Sequence, residues 1–373
     1  ASRLPFNPVV ITATMTACAK SSRHADALHV FQEAVDQGAR LDTACYNAAI
    51  TSCCYLKKYS KAYDIFESMQ LNKVKRDTLT FAAMLTCCDK AGDFILAAEL
   101  VKQACSKRGV KFNNQMCTSA MGAYTNGGQP LKSLELFDEF ISSSHGLLDA
   151  PLYTAALKAL AAASENSRGY GMRALTLLRE MAKRHIKVSQ FAVVQAIHAL
   201  DGDEMYEAAQ ELYDTGKRNG VFTTAINLDD DRRLDLRECS KPMMRAIIRS
   251  LLTQIRKESP ATIPDILIVL GDRNKASSSF VGDVLKTNIT SDNPIRNNVI
   301  NAGALIRVPG KDLTKWIRRC NAETGVDSGV QNEANQNTQE KQPEAEVKSS
   351  NKQPKKKNIF SSIYSAPVAA YSR

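Results

Sequence analysis

The 373-residue sequence lacks the marks of several protein classes. Its ten cysteines form no C-x-x-C pair with a matching second pair, and none of its five histidines lies beyond His198. No zinc site is therefore expected, and nothing else calls for a cofactor. Several thiols fall instead on apolar helical positions, where cysteine behaves as a small hydrophobe, which points to a reducing compartment. No stretch approaches the roughly 20 apolar residues that cross a bilayer, so membrane insertion is not expected. Polybasic arms are missing too. The net charge is +10, yet residues 1–222 hold 25 basic against 22 acidic side chains, 223–317 hold 15 against 11, and 318–373 hold 9 against 6. A basic balance favours an anionic partner, but this even spread requires any nucleic-acid binding in the first part to use specific contacts as well as diffuse charge. The chain opens at Ala1 with no recognisable signal or transit peptide, and the Asn288-Ile-Thr290 sequon would matter only in a secreted protein.

What is present is a repeat. Sliding the chain by about 35 residues superposes Ala13, Ala48 and Ala83, then Thr16, Thr51 and Thr86, then Cys18, Cys53 and Cys88, then Ala27, Ala62 and Ala97. Phe31 and Phe66 follow the same period, and Phe137 falls one residue late. The units run 8–42, 43–77, 78–113, 114–149 and 150–189, with a degenerate sixth over 190–222. Within each, apolar residues recur at helical spacing twice, as in Tyr46, Ala49, Ile50 and Cys53 and then Ala62, Ile65, Phe66 and Met69, with a polar turn between. One such hairpin cannot bury its own apolar face, so neighbours stack into an all-α solenoid.

Unit ends read Gly38-Ala-Arg-Leu-Asp42, Val74-Lys-Arg-Asp77, Gly109-Val-Lys-Phe-Asn113 and Gly146-Leu-Leu-Asp149. With these endings, the unit length and the Ala27-Leu-His-Val-Phe31 pattern, the array resembles the pentatricopeptide-repeat (PPR) family. Tetratricopeptide repeats run about 34 residues and want a tryptophan in the first helix. The one tryptophan here is Trp316. Residues 1–7, ending Phe6-Asn7, parallel a unit end and are expected to be the remnant of an upstream repeat.

The resemblance implies single-stranded RNA as partner, held one base per unit. In the family, the fifth and last residues of a unit read the base edge and the second packs on the base plane. Carried over, the edge-reading pairs are Thr12 with Asp42, Asn47 with Asp77, Ala82 with Asn113, Thr118 with Asp149, and Thr154 with Ser189. The packing positions are Val9, Ala44, Leu79, Gln115, Pro151 and Phe191. Short, stiff donors and acceptors suit the task because little side-chain entropy is lost on ordering them. The family's pairing rule gives a preference of the form G-U-n-G-n, with Ala82 and Val194 permissive. Thr, Asn and Asp are also ordinary caps at helix starts, and that reading stays open for each pair. Five or six bases at ~1–3 kcal/mol of discrimination each, two of them unread, cannot select one site in a large transcriptome.

Beyond residue 222 the period stops. Short strands at Arg233–Arg237, Asp265–Leu270 and Gly303–Val308 alternate with helices at Met243–Ile255 and Ser279–Lys286, predicting a small α/β sandwich over 223–320. Leu234-Asp-Leu-Arg237, Gly271, Asn301-Ala-Gly-Ala-Leu-Ile306, Gly310, Leu313 and Trp316 resemble the small MutS-related (Smr) domain, some members of which cut nucleic acid. In that family the first motif ends in His and the second reads Thr-Gly-x-Gly. Arg237, Leu270, Asp272 and Arg273 stand at those positions here, and only Asp235 and Gly271 survive. Arginine neither titrates near neutrality nor ligates a metal, so Asp235 is a weak catalytic candidate, while Arg237, Arg273 and Lys275 are candidates for phosphate contact.

Residues 321–373 are rich in Gln, Asn, Glu, Ser and Lys and are expected to be a disordered tail that ends in the apolar Ile359–Tyr364 segment. The combined resemblance implies an RNA-binding protein of transcript processing, stability or translation, in a mitochondrion or chloroplast by family habit, with nucleus and cytosol left open. Two alternatives stand beside it. One is an architectural subunit whose solenoid contacts protein partners in a ribosomal or RNA-processing complex. The other is an Smr-type RNA endonuclease.

Overall fold

The computed structural model describes residues 8–107, 109–143, 148–222, 232–258, 260, 262–270, 275–286, 295, 297–300 and 304–323. The expected remnant at 1–7 and the tail beyond Glu323 lie outside them. Contacts divide the chain after Met205 into two compact units.

The first unit is a run of helices in pairs. The first helices of the pairs are α1 (Pro8–Lys20), α3 (Thr43–Tyr55), α5 (Thr78–Ala91), α7 (Asn114–Asn126), α9 (Ala150–Ser164) and α11 (Gln190–Gly202). The second helices are α2 (His24–Asp36), α4 (Tyr59–Leu71), α6 (Phe94–Ser106), α8 (Pro130–Ser143) and α10 (Gly171–Lys183). Between them the chain reverses through left-handed residues such as Lys57 (φ 57°) and Gly92 (φ 69°), and it leaves the second helices through others such as Lys73 (φ 59°).

Each first helix touches the next first helix, and each second helix packs on the first helix of its own pair and of the following one. The first helices are therefore covered on two sides, and their sequences are apolar over a wide arc. In α9 the buried set is Leu152, Tyr153, Ala156, Leu157, Ala159, Leu160, Ala161, Ala163 and Ser164. Small residues such as Ala49, Cys53, Ala120 and Ala123, all fully buried, let neighbouring backbones approach. An aromatic from a second helix meets the fourth residue of the next unit edge to face: Phe31 on Tyr46 at 5.3 Å, Phe66 on Phe81 at 5.8 Å, and Phe137 on Tyr153 at 6.1 Å. Buried Arg76 lies 3.8 Å over the Phe66 ring, donates from Nε and Nη2 to the Phe66 carbonyl, and pairs with Glu67 at 3.1 Å. The long turn before α10 is tied down as well, since the amides of Gly169 and Gly171 donate to Asp203 at 2.8 and 2.6 Å.

The second unit opens with α12 (Tyr206–Arg218), which packs on α13 (Lys241–Glu258). The sixth repeat expected over 190–222 thus has both its helices, but the boundary between compact units falls between them. The reason is on the surface of α12: it buries Leu212 and Tyr213, donates from Gln210 to Thr253 at 3.0 Å, accepts at Asp214 from Ser250, and sets Tyr213 against Phe222 at a tilt, ring centres 5.2 Å apart. A four-stranded sheet follows in the order β1-β2-β4-β3, comprising β1 (Arg233–Asp235), β2 (Ile266–Val269), β3 (Asn298–Ile300) and β4 (Leu305–Val308). β1 runs parallel to β2, and the other pairings are antiparallel. Leu234, Ile268 and Ile306 stand in register as a buried row. Helices α14 (Lys275–Lys286) and α15 (Gly310–Glu323) complete the unit. Two elements go beyond the sequence expectation. β3 is a three-residue edge strand without apolar alternation, whereas α15 carries Leu313, Trp316, Ile317 and Cys320 at helical spacing, all buried.

Candidate nucleic-acid interface

The last residue of each unit is the N-cap of the next first helix. Backbone amides donate to these side chains from Cys45 to Asp42 at 2.8 Å, Thr80 to Asp77 at 2.8 Å, Met116 to Asn113 at 3.0 Å, Leu152 to Asp149 at 3.1 Å, and Ala192 to Ser189 at 3.2 Å. Each satisfies one of the donors that a helix start leaves unpaired. The capping role of these five residues is therefore real, and any base-reading role has to use what the cap leaves over.

Two of the expected pairs are brought into direct contact. Thr12 Oγ1 lies 3.3 and 3.4 Å from the Asp42 carboxylate oxygens, and Asn47 donates to Asp77 Oδ1 at 3.2 Å. Around the second pair the sequence reading missed a partner. Thr80, third in its unit, donates to Asn47 Oδ1 at 2.7 Å, and it closes a capping box with Asp77. Burial alone pushes the Asp77 carboxyl up, but the Thr80 amide and hydroxyl and the Asn47 amide outweigh it and hold the group below its ordinary value. At the first pair the corresponding third residue is Cys45, whose sulfur is 2.9 Å from Thr12 Oγ1, and burial raises its thiol pKa. Aligning third positions, which sit one turn inside each N-cap, would have drawn attention to both residues.

The other pairs are arranged differently. Ala82 is buried and has no polar atom to offer. Thr118 Oγ1 is buried and unpartnered among the described residues, so it makes no bond to Asp149. Thr154 turns back to donate to the Ala150 carbonyl at 2.7 Å. The six packing positions share one property: Val9, Ala44, Leu79, Gln115, Pro151 and Phe191 are all exposed. Val9 is 72% exposed, Leu79 64% and Phe191 50%.

In the second unit, Asp235 ends β1 and is clamped by Arg237, whose Nε donates at 2.9 and 3.0 Å and whose Nη2 donates at 2.5 Å. The Arg237 hydrogen bonds hold the Asp235 carboxyl below its ordinary value, so it stays ionised near neutrality and has no proton to give. Arg237 is correspondingly committed to its neighbour. Arg273 lies outside the described residues, and Lys275 is the first residue of α14, its side chain likewise outside.

A family model described as the pentacotripeptide-repeat region of PRORP matches residues 8–196. Among solved structures, the PPR domain of Arabidopsis thaliana protein-only RNase P 1, in complex with tRNA, aligns at TM-score 0.43 and 20% identity over 55% of this chain and 98% of that one. The maize pentatricopeptide repeat protein PPR10, in complex with an 18-nucleotide psaJ RNA element, aligns at 0.45 and 12% over 86% and 44%. The A. thaliana nuclear proteinaceous RNase P 2 aligns at 0.41 and 16% over 50% and 40%, so this chain spans less than half the length of the last two. No curated protein sequence matches the chain.

Proposed function

The chain belongs to the pentatricopeptide-repeat family, and from that premise we propose that it is a single-stranded RNA-binding protein acting in RNA processing, stability or translation. The observation that carries this reading is the register of the exposed second positions beside the capping residues. Val9, Ala44, Leu79, Gln115, Pro151 and Phe191 give six exposed packing positions, and Asp42, Asp77, Asn113, Asp149 and Ser189 stand at the edge of the same helix starts. Thr12 with Asp42 and Asn47 with Asp77 are the pairs best arranged to meet a base edge, as G and U. The fourth position, where Thr118 is turned inward, contributes less than its residue type suggests.

The test is equilibrium binding of labelled oligonucleotides. RNA of the form G-U-n-G-n should bind more than about 10-fold tighter than a scrambled oligomer, equivalent to about 1.4 kcal/mol. Equal, salt-dependent binding of both would sink the base-reading idea.

A second reading, a subunit that uses its helices for protein contacts in an organellar ribosome or expression complex, is favoured by one observation. Residues 1–222 are nearly neutral, with 25 basic against 22 acidic side chains. The second unit is read as an Smr-like module that binds rather than cuts, because Arg237 stands where the family has its His and is paired with Asp235. An organellar compartment follows from the family reading alone.

A further inference from the structure

We propose that the RNA backbone is gripped by an interrupted track of cations, Arg40, Lys75, Lys111 and Lys187, on the connectors between hairpins, separate from the residues that face the bases. This inference rests on the RNA-binding reading above and assigns the phosphates a site on the repeat array, where that reading names none.

Each of the four residues stands two positions before an N-cap, Asp42, Asp77, Asn113 and Ser189 in turn, and each is exposed. The period is thus carried by charge as well as by apolar residues, although the surrounding connector residues vary. The fourth connector, before Asp149, breaks the series with Leu147. The track is also built on a fixed backbone where hydroxyls are available. Thr43 Oγ1 donates to the Lys75 carbonyl at 3.0 Å, and the Lys111 amide donates to Thr78 Oγ1 at 3.4 Å. The first residue of a unit therefore anchors the cation-bearing connector at the end of that same unit, which ties the position of each charge to its own hairpin.

The electrostatic surroundings favour an anion here. The positive ends of the first-helix dipoles face this edge, and no charged side chain occupies their first turns. The acids at the edge, Asp42, Asp77 and Asp149, each accept a helix amide, which offsets part of their charge. Arg76 is turned inward onto Phe66 and Glu67. Lys107, whose Nζ is 5.6 Å from the Phe81 ring centre, has its pKa lowered by burial and by the neighbouring charges of Arg76 and Lys75. That like-charge crowding is relieved when a phosphate arrives.

The experiment uses the full chain and two labelled single-stranded RNAs, one containing G-U-n-G-n and one scrambled, titrated across salt. A variant carrying Arg40→Gln, Lys75→Gln, Lys111→Gln and Lys187→Gln is compared with a charge-matched control carrying Lys57→Gln, Lys58→Gln, Lys102→Gln and Lys132→Gln. Circular dichroism confirms that both remain folded. Each lost phosphate contact should flatten the log–log salt slope by about 0.7, so between about 50 and 200 mM salt the parent should lose roughly 50-fold more affinity than the track variant. The ratio between the two RNAs should stay unchanged, and the control should keep the parent slope. A track variant with the parent slope, or a control that falls equally, overturns the track and leaves RNA binding standing. Failure of the parent to bind either RNA at low salt overturns the RNA reading itself, and the track with it.

Discussion

At Asp77 one carboxylate answers to two demands. Its Oδ1 accepts from the Thr80 amide and the Asn47 amide, so it starts α5 and also ties unit two to unit three. Removing it by Asp77→Ala should cost about 1–2 kcal/mol in chemical denaturation, the range of a lost N-cap. Asp77→Asn keeps an amide oxygen for the cap and should cost clearly less. The charge has a pH signature. Because the folded carboxyl titrates below its ordinary value of 3.8, its stabilisation is complete above that value and is lost as pH falls through the lowered folded pKa. In the Asn variant this part of the acid-induced loss should be absent; an identical acid profile would show that the carboxylate is not held as described. The residue scale also explains what the sequence left open. Cap and base reader use the same residue types, and only the geometry distinguishes Thr12 and Asn47, which meet their partners, from Thr118 and Thr154, which do not.

At the scale of elements, the hairpin array was legible because stacking repeats the same environment every 35 or so residues. Ala27, Ala62 and Ala97 recur because each lies at a close helix contact, and all three are fully buried. Phe31, Phe66 and Phe137 recur because each fills the gap under the following first helix. Phe66 is therefore a sensitive point, since it meets Phe81 edge to face and also lies under the Arg76 guanidinium. Phe66→Ala should destabilise the array by about 3–5 kcal/mol, read as a shifted denaturation midpoint. A loss under about 1 kcal/mol would mean the aromatic stitch between units is not structural. The elements that escaped notice have opposite causes. β3 presents no pattern to read, being short and at the edge. The split of the last hairpin depends on α12 finding α13, which starts 35 residues after it does, and a local repeat cannot signal that.

Across the whole molecule, the cysteines report how completely the two units bury their apolar surface. Cys45, Cys53, Cys54, Cys87, Cys88, Cys117 and Cys320 are buried, Cys18 and Cys239 are half-buried, and Cys105 on α6 is exposed. Burial raises the thiols of Cys53 to about 11 and of Cys88 and Cys117 to about 12, which removes the reactive thiolate at neutral pH as well as access to it. Cys54 and Cys87 face each other across α3 and α5, and their contact holds Cys54 down, to about 7, while pushing Cys87 up. Cys54 is only 3% exposed, so it is shielded by lack of access rather than by its proton affinity. A maleimide pulse under native conditions, located by peptide mass spectrometry, should therefore label Cys105 first and Cys18 and Cys239 more slowly. In strong denaturant all ten thiols should react. Rapid native labelling of Cys54 ahead of Cys18 would show that the α3 and α5 pair opens locally, and the central row of first helices would then be looser than its packing implies.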